Sequence, residues 1–281
     1  MNKLYLCSFS STDLKRSKER FTNQAEKMNF YENIKIYDEN DLTSEIKNQI
    51  KNFNYLNQRR LYGFGCWKAF IIKDFLNSVP KNSVVQYSDI GCHLNYKGKE
   101  RLIEYARICK KQNILGFQYF NPGPEFDNRY KYQNYLEKNY TKKKLFEYFN
   151  IENKFEILDS PQFMSGVIFF LNNEISVNFL NEWEQLSLIN DLIDNSSCEN
   201  NDVLLKEHRH DQSLFSILCK INNIKGLSSS ECEWAEFQNK RTWEHLENYP
   251  ILAKRDKEYN LLKRFLDRQK KNISRFINRI K

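Results

Sequence analysis

The first fifty residues alternate short apolar runs with charged amphipathic stretches, and this order restricts the fold more than any other feature of the chain. Residues 3–9 (KLYLCSF) and 33–37 (NIKIY) have the composition of short strands. Residues 13–28 and 41–52 have the spacing of amphipathic helices. A strand–helix–strand–helix order requires crossover connections, which produce a parallel sheet with helices on its faces. We therefore predict an α/β fold.

A later apolar run, residues 84–92 (VVQYSDIGC), ends in an acid and then a glycine. We predict a buried strand that places Asp89 at its carboxyl end, the edge at which ligands bind in open α/β sheets. A carboxylate there can bind a divalent cation, which in turn can bind a diphosphate. The alternative is an Asp-initiated turn in which the Asp89 side chain accepts nearby backbone N–H groups. This stretch alone favours the turn.

The positive charge of the chain is concentrated at its C-terminal end. Residues 254–281 carry 11 of the 44 Lys and Arg but only 3 of the 36 Asp and Glu, so the remainder has 33 of each sign. A nucleic-acid groove across the main domain needs positive charge spread over the fold. We therefore predict no nucleic-acid partner. The same asymmetry suggests two parts, an α/β domain over residues 1–253 and a basic amphipathic helix over residues 254–281.

The predicted C-terminal helix has one apolar stripe, formed at three- and four-residue steps by Leu262, Phe265, Leu266, Ile273, Phe276, Ile277 and Ile280. One interpretation is an interfacial helix that contacts the anionic inner leaflet of a membrane through its basic face. The other is a helix that docks the same stripe onto the main domain. Sequence spacing favours neither.

The sequence predicts a cytoplasmic protein, peripheral on the inner membrane if the tail binds lipid. No stretch approaches the roughly 20 apolar residues of a membrane-spanning helix, and the N-terminus lacks a secretory signal. Seven scattered cysteines without a CxxC pair indicate reduced thiols rather than a disulfide framework or a zinc site.

Two further stretches contain residue types suited to chemistry. Residues 59–68 (RRLYGFGCWK) set two glycines between basic residues, so backbone can approach a ligand closely and Arg59, Arg60 and Lys68 can neutralise phosphates. The spacing is not that of a P-loop. Residues 207–213 (EHRHDQS) hold half of the four histidines. Either Asp211 is a plain helix N-cap, or His210 or Asp211 faces a substrate sugar.

The order of five short motifs, RRLYGFGCWK, VVQYSDIGC, TKKKLFEYF, QFMSGVIFF and HDQSLFSIL, resembles bacterial glycosyltransferases of the GT-A fold, of the capsular polysaccharide or lipooligosaccharide type. The resemblance covers about residues 3–224. It implies a GT-A-like (Rossmann-like) mixed, mainly parallel sheet flanked by helices. It also implies transfer of a sugar from a nucleoside diphosphate sugar, a UDP-sugar, to a hydroxyl of a growing glycan. The implied acceptor is a glycan or a lipid-linked glycan.

The resemblance also implies roles for individual residues. Asp89 would bind Mn2+ (or Mg2+) and the diphosphate, although Gly91 stands where the second acid of the family's DxD motif is expected. The implied donor-binding residues are Phe9, Ser8, Arg59, Arg60, Lys68 and Asp89. Ser165, Gly166 and Gln212 would contact sugar or acceptor.

An inverting enzyme needs a general base for the acceptor hydroxyl. Asp211 is the first choice and His210 the second, whereas a retaining enzyme removes that assignment. A non-catalytic glycan-binding or scaffold protein stays an alternative, because 16 Tyr, 21 Phe and 4 Trp also suit stacking against sugars.

Overall fold

A six-stranded sheet forms the centre of the protein. The computed structural model describes residues 4–55, 61–123, 126–196 and 204–256. The strands are β1 (Leu4–Phe9), β2 (Tyr31–Tyr37), β3 (Val84–Ser88), β4 (His93–Leu94), β5 (Ile114–Gln118), β6 (Phe163–Leu171), β7 (Gly226–Ser228), β8 (Ala235–Phe237), β9 (Lys240–Thr242) and β10 (Ile251–Leu252). The main sheet has the order β2-β1-β3-β6-β5-β7. Of its strands, β6 alone runs antiparallel to its neighbours, β3 and β5.

Helices cover both faces of this sheet. They are α1 (Lys15–Met28), α2 (Ser44–Tyr55), α3 (Leu61–Phe64), α4 (Lys68–Ser78), α5 (Lys99–Gln112), α6 (Glu137–Tyr140), α7 (Lys143–Tyr148), α8 (Phe155–Leu158), α9 (Glu174–Ser187), α10 (Asn190–Ile193) and α11 (Asp211–Ile221). The short α3 is interrupted by left-handed backbone at Tyr62 and Gly63. Helices α4, α9 and α11 contribute to one apolar core, and α1 and α5 to the other.

The two cores explain why the central strands read as unbroken apolar runs. Successive side chains of a strand point to opposite faces. In β3, Val84 belongs to the core under α1 and α5, whereas Val85 and Tyr87 belong to the other core. A sheet covered on both faces therefore buries all five residues of β3.

The predicted α/β fold, with a mixed, mainly parallel sheet flanked by helices, is confirmed. The first four predicted elements are present in order as β1, α1, β2 and α2. The structure places Asp89 directly after β3, as the sequence predicts. The six cysteines in the described ranges are buried and free, in agreement with the predicted reduced thiols.

The predicted C-terminal helix falls almost wholly outside the described residues, which end at Asp256. Its first three residues are not helical and pack onto the domain: Asp256 N donates to Gly91 O at 2.9 Å. The Arg20 guanidinium donates to Asp256 O at 3.2 Å and also to the carbonyls of Ile90 and Cys92. The division at residue 253 stays a prediction. Within the described ranges, no helix has the length and apolar content to cross a membrane.

Candidate active site

A cleft of about 790 Å³ opens at the carboxyl ends of β1 and β3. Its lining includes Phe9 at the end of β1, Asp89 after β3, and Ser165 and Gly166 in β6. The segments around Lys68 and residues 209–212 close its floor and one side. A second cavity, of about 940 Å³, is lined by residues 121–123, 126–128 and 130–132, and none of the predicted site residues lines it. We therefore place the candidate site in the cleft at the sheet edge.

A buried ion pair forms the floor of the cleft. Lys68 Nζ lies 2.6 Å from Asp211 Oδ2, and the two side chains are 6% and 3% exposed. Ser165 Oγ donates to the same carboxylate oxygen at 2.7 Å, and Lys68 also donates to Ser165 Oγ at 3.1 Å. Burial lowers the pKa of Lys68, but attraction to Asp211 and Asp89 outweighs it, so the pKa lies above its usual value. The lysine is therefore charged at neutral pH.

Asp89 is the more accessible carboxylate of the cleft. Its side chain is 47% exposed, and its Oδ1 lies 3.4 Å from Lys68 Nζ. The Tyr87 hydroxyl donates to that oxygen at 2.6 Å. Burial, together with the charge of Asp89, raises the pKa of Tyr87 well above its usual value, so the hydroxyl keeps its proton. Asp89 Oδ2 faces Gly166, where an added Cβ would approach it to 3.1 Å.

Gly65 shows why glycine is needed beside the ion pair. Its φ is +78°, a conformation that residues with a Cβ rarely adopt. An added Cβ would also lie 2.8 Å from Asp211 Cγ, inside van der Waals contact. The sequence interpretation that glycine allows close approach is therefore right in kind, but the group that approaches Gly65 is the carboxylate of Asp211.

Aromatic rings form the wall of the cleft at the end of β1. Phe9 stacks on Trp67 with ring centroids 4.0 Å apart and lies 5.5 Å from the ring of Tyr62. All three line the cleft, and Phe9 itself is 5% exposed. The predicted stacking residue is thus placed at the cleft, and Tyr62 and Trp67 extend the aromatic surface beside it.

The histidine segment before α11 is anchored to the backbone of the neighbouring helix α10. His208 Nε2 lies 3.2 Å from Leu192 O, and His210 Nδ1 lies 2.8 Å from Ile193 O. The ring of His210 stacks on Phe64 and is completely buried. Asp211 is the first residue of α11, and His210 occupies the cap position, so the simple N-cap interpretation of Asp211 is wrong.

The remaining predicted residues divide between the cleft and other places. Gln212 lines the cleft and donates to Gln162 Oε1 at 2.6 Å. Ser8 is buried, and its hydroxyl donates to Ser88 O at 2.7 Å, so the structure does not bring it to the cleft. The hydroxyl bonds its neighbouring strand because β1 lies beside β3. Arg59 and Arg60 lie outside the described residues.

Sequence reasoning missed several groups of the cleft. Arg255 lines it from the C-terminal segment, and its Nη2 lies 2.9 Å from Glu233 Oε2. Attraction to Glu233 raises the pKa of Arg255 above its usual value. Arg209 also lines the cleft. Its signal was its position between two histidines in the segment 207–213, which the sequence already singled out, whereas nothing in the sequence places Arg255 beside Asp89.

The described residues contain no group of three His, Cys, Asp or Glu side chains that would hold a metal ion by themselves. Asp89 suits a different arrangement, in which Mn2+ or Mg2+ is bound by one carboxylate together with substrate phosphates. Its exposed side chain at the cleft fits that arrangement. A metal at this position would therefore depend on the bound diphosphate.

No protein-family model matches the chain, and no curated protein matches its sequence. In structure it is similar to a glycosyltransferase involved in the glycosylation of the major capsid of PBCV-1. That likeness has a TM-score of 0.47 and 10% identity, and covers 89% of this chain and 92% of the other. A second likeness, to the apo form of mouse xyloside xylosyltransferase 1, has a TM-score of 0.43 and 10% identity, and covers 82% and 87% of the chains. Likenesses this distant assign no activity to this chain.

Proposed function

We propose that the protein is a glycosyltransferase that moves a sugar from a nucleoside diphosphate sugar, a UDP-sugar, to a hydroxyl of a growing surface glycan of the capsule or lipooligosaccharide. The observation that carries this proposal is the exposed carboxylate of Asp89, which follows the central strand β3 and lies above the buried Lys68–Asp211 pair. A cleft of about 790 Å³ has the size of a site for a small ligand. The resemblance of the sequence motifs points to the same chemistry.

Breaking the anomeric bond builds negative charge on the departing diphosphate, which the site must stabilise. Mn2+ bound between Asp89 and the diphosphate would supply part of that stabilisation. Lys68 was predicted to contact the diphosphate, but its ammonium already bonds Asp211 and Ser165. Its role in the proposed mechanism is therefore to hold the two carboxylates in place. Arg209 and Arg255 add further positive charge at the cleft.

The acceptor hydroxyl loses its proton as its oxygen bonds to the anomeric carbon and the diphosphate leaves. For inverting transfer we propose that Asp211 takes this proton. Lys68 and Ser165 both contact Oδ2 of Asp211, so Oδ1 is the oxygen proposed to accept the proton. His210, the second choice, is buried and bonded to Ile193 O, a less suitable position for a base.

Initial-rate assays with a panel of nucleotide sugars, Mn2+ and glycan acceptors test the proposal. The expected result is release of the nucleoside diphosphate from one donor, together with a rise in Tm in its presence. Stabilisation by glycans without turnover of any donor would instead identify the non-catalytic glycan-binding alternative. Stabilisation by neither nucleotide nor glycan would overturn both.

We also propose that the basic tail brings the cleft to an anionic membrane that holds a lipid-linked acceptor. Two observations support this: residues 254–281 carry 11 Lys and Arg against 3 Asp and Glu, and the chain reaches Asp256 beside Gly91 at the cleft. Each basic residue near an anionic surface contributes on the order of 1 kcal/mol.

Removal of residues 257–281 tests the tail and keeps the contacts of Lys254, Arg255 and Asp256. The shortened protein should keep its Tm but no longer sediment with vesicles containing phosphatidylglycerol. Phosphatidylcholine vesicles provide the control, because the full chain should bind them weakly. A large fall in Tm with vesicle binding retained would mean that the stripe docks on the domain.

A further inference from the structure

Arg209 lines the cleft, and the histidines on either side of it are anchored to the backbone of α10. His208 and His210 bond the carbonyls of Leu192 and Ile193. The backbone N–H of Arg209 donates to Tyr140 O at 3.2 Å and to Ser213 Oγ at 3.0 Å. The direction of the Arg209 side chain is therefore set by its neighbours and its own backbone.

The guanidinium of Arg209 is held among tyrosine rings. Its Cζ lies 4.2 Å from the ring centroid of Tyr135, 4.3 Å from that of Tyr140 and 5.9 Å from that of Tyr119. Such contacts orient and stabilise a guanidinium, but an aromatic ring supplies no counter-charge. The guanidinium also donates to the Tyr135 hydroxyl, and its remaining N–H groups are left for a ligand.

Arg209 lies farther from its acidic neighbour than Arg255 and Arg101 lie from theirs. Within the described residues, its ion pair is with Glu207, and Nε lies 3.9 Å from Oε2, beyond hydrogen-bond length. By contrast, Arg255 lies 2.9 Å from Glu233, and Arg101 lies 2.7 Å from Glu231. The Arg209 side chain is only 14% exposed. A largely buried cation without a close carboxylate favours an anionic ligand.

We propose that Arg209 binds an anionic group of the substrate, a phosphate or a carboxylate, through the N–H edge of its guanidinium. Arginine recognises both groups in the same two-bond geometry. The anion has two sources, the diphosphate of the donor or a carboxylate on an acidic sugar. The donor source rests on the proposed function; the carboxylate source does not require it.

The experiment measures binding to the full-length protein by calorimetry with four probes: UDP, uridine, glucuronate and glucose. The variants are Arg209→Gln, which removes the charge, and Arg209→Lys, which keeps the charge but loses the planar fork. Arg241→Gln is the matched control, because Arg241 also stacks on an aromatic ring, Trp234 at 4.3 Å, but is exposed and does not line the cleft.

If the diphosphate is the ligand, the wild type should prefer UDP to uridine, and Arg209→Gln should reduce that preference at least tenfold, about 1.4 kcal/mol. If the ligand is an acidic sugar, UDP affinity should hold and the preference for glucuronate over glucose should fall instead. Arg209→Lys should lose part of the preference that Arg209→Gln reduces, and Arg241→Gln should keep all of it. Each preference is a ratio of two affinities measured on the same protein, so a smaller folded fraction would not change it.

Equal preferences in the wild type and both Arg209 variants would overturn the inference. A wild type that prefers neither UDP to uridine nor glucuronate to glucose would also overturn it. Sugar transfer by a wild type that fails in this way would leave the proposed function standing. Conversely, an Arg209-dependent preference for glucuronate in a protein that binds no nucleotide would support the inference and count against the proposed function.

Discussion

Lys68 Nζ lies 2.6 Å from Asp211 Oδ2, and both side chains are almost completely buried. The two residues are 143 positions apart in the chain, one at the start of α4 and the other at the start of α11. The pair therefore connects two helices beneath the cleft. It also changes the expected consequence of removing either residue, because the partner would remain buried without its counter-charge.

Replacement of Lys68 by Met should destabilise the protein by about 3–5 kcal/mol, since a buried carboxylate loses its partner. Urea unfolding measures this change. The double variant Lys68→Met/Asp211→Asn should regain at least half of the loss, because no buried charge remains. Lys97→Met, in an exposed pair with Glu247, is the control and should leave the midpoint almost unchanged. A Lys68→Met midpoint equal to that of the wild type would contradict the buried pair.

Asp89→Ala should reduce glycosyl transfer at least 100-fold, about 2.7 kcal/mol of transition-state stabilisation, while Tm changes little. The reason is that this carboxylate is 47% exposed and contributes little to packing. Asp159→Ala is the control, because that side chain is 51% exposed and does not line the cleft. Activity of Asp89→Ala within tenfold of the wild type would remove Asp89 from the proposed site.

Gly65→Ala should weaken donor binding as well as stability, because Asp211 pairs with Lys68, which in turn holds the donor residue Asp89. Its φ of +78° costs a residue with a Cβ about 1–3 kcal/mol, and the new methyl group would displace Asp211. Gly63→Ala is the matched control: Gly63 also has φ of +78°, but its added Cβ would meet Ile50 instead. Titration with UDP should therefore show weaker binding in Gly65→Ala than in Gly63→Ala. Equal affinities in the two variants would contradict the role of Gly65.

His93 should make the stability depend on pH near neutrality. Burial, followed by the charge of Arg20, lowers the pKa of His93 in the folded state, although Asp256 opposes this. The unfolded chain, with a usual pKa of about 6.5, then binds a proton more readily, so the free energy of unfolding falls as pH falls below that value. Urea midpoints at about pH 7.5 and 5.5 should differ more in the wild type than in His93→Gln. An identical pH dependence of the urea midpoint in the wild type and in His93→Gln would exclude this role of His93.

The local order of strands and helices was readable from the sequence, because alternating apolar runs and amphipathic spacing are local properties. The position of Asp89 after a buried strand was readable for the same reason. The segment around Arg209 also had a local signal, since residues 207–213 hold half of the four histidines. Sequence could not say which of these side chains would meet an acid, a ring or a ligand.

Only the tertiary structure decided how the charges are paired. The antiparallel insertion of β6 between β3 and β5 puts Ser165 next to both Lys68 and Asp211. Ser8 was predicted at the ligand, but the pairing of β1 with β3 directs its hydroxyl to Ser88 O. Arg255 reaches the cleft because Asp256 bonds Gly91. Apolar periodicity along the chain determines where helices and strands form. Long-range strand pairing and burial determine which polar groups must form hydrogen bonds or ion pairs with one another.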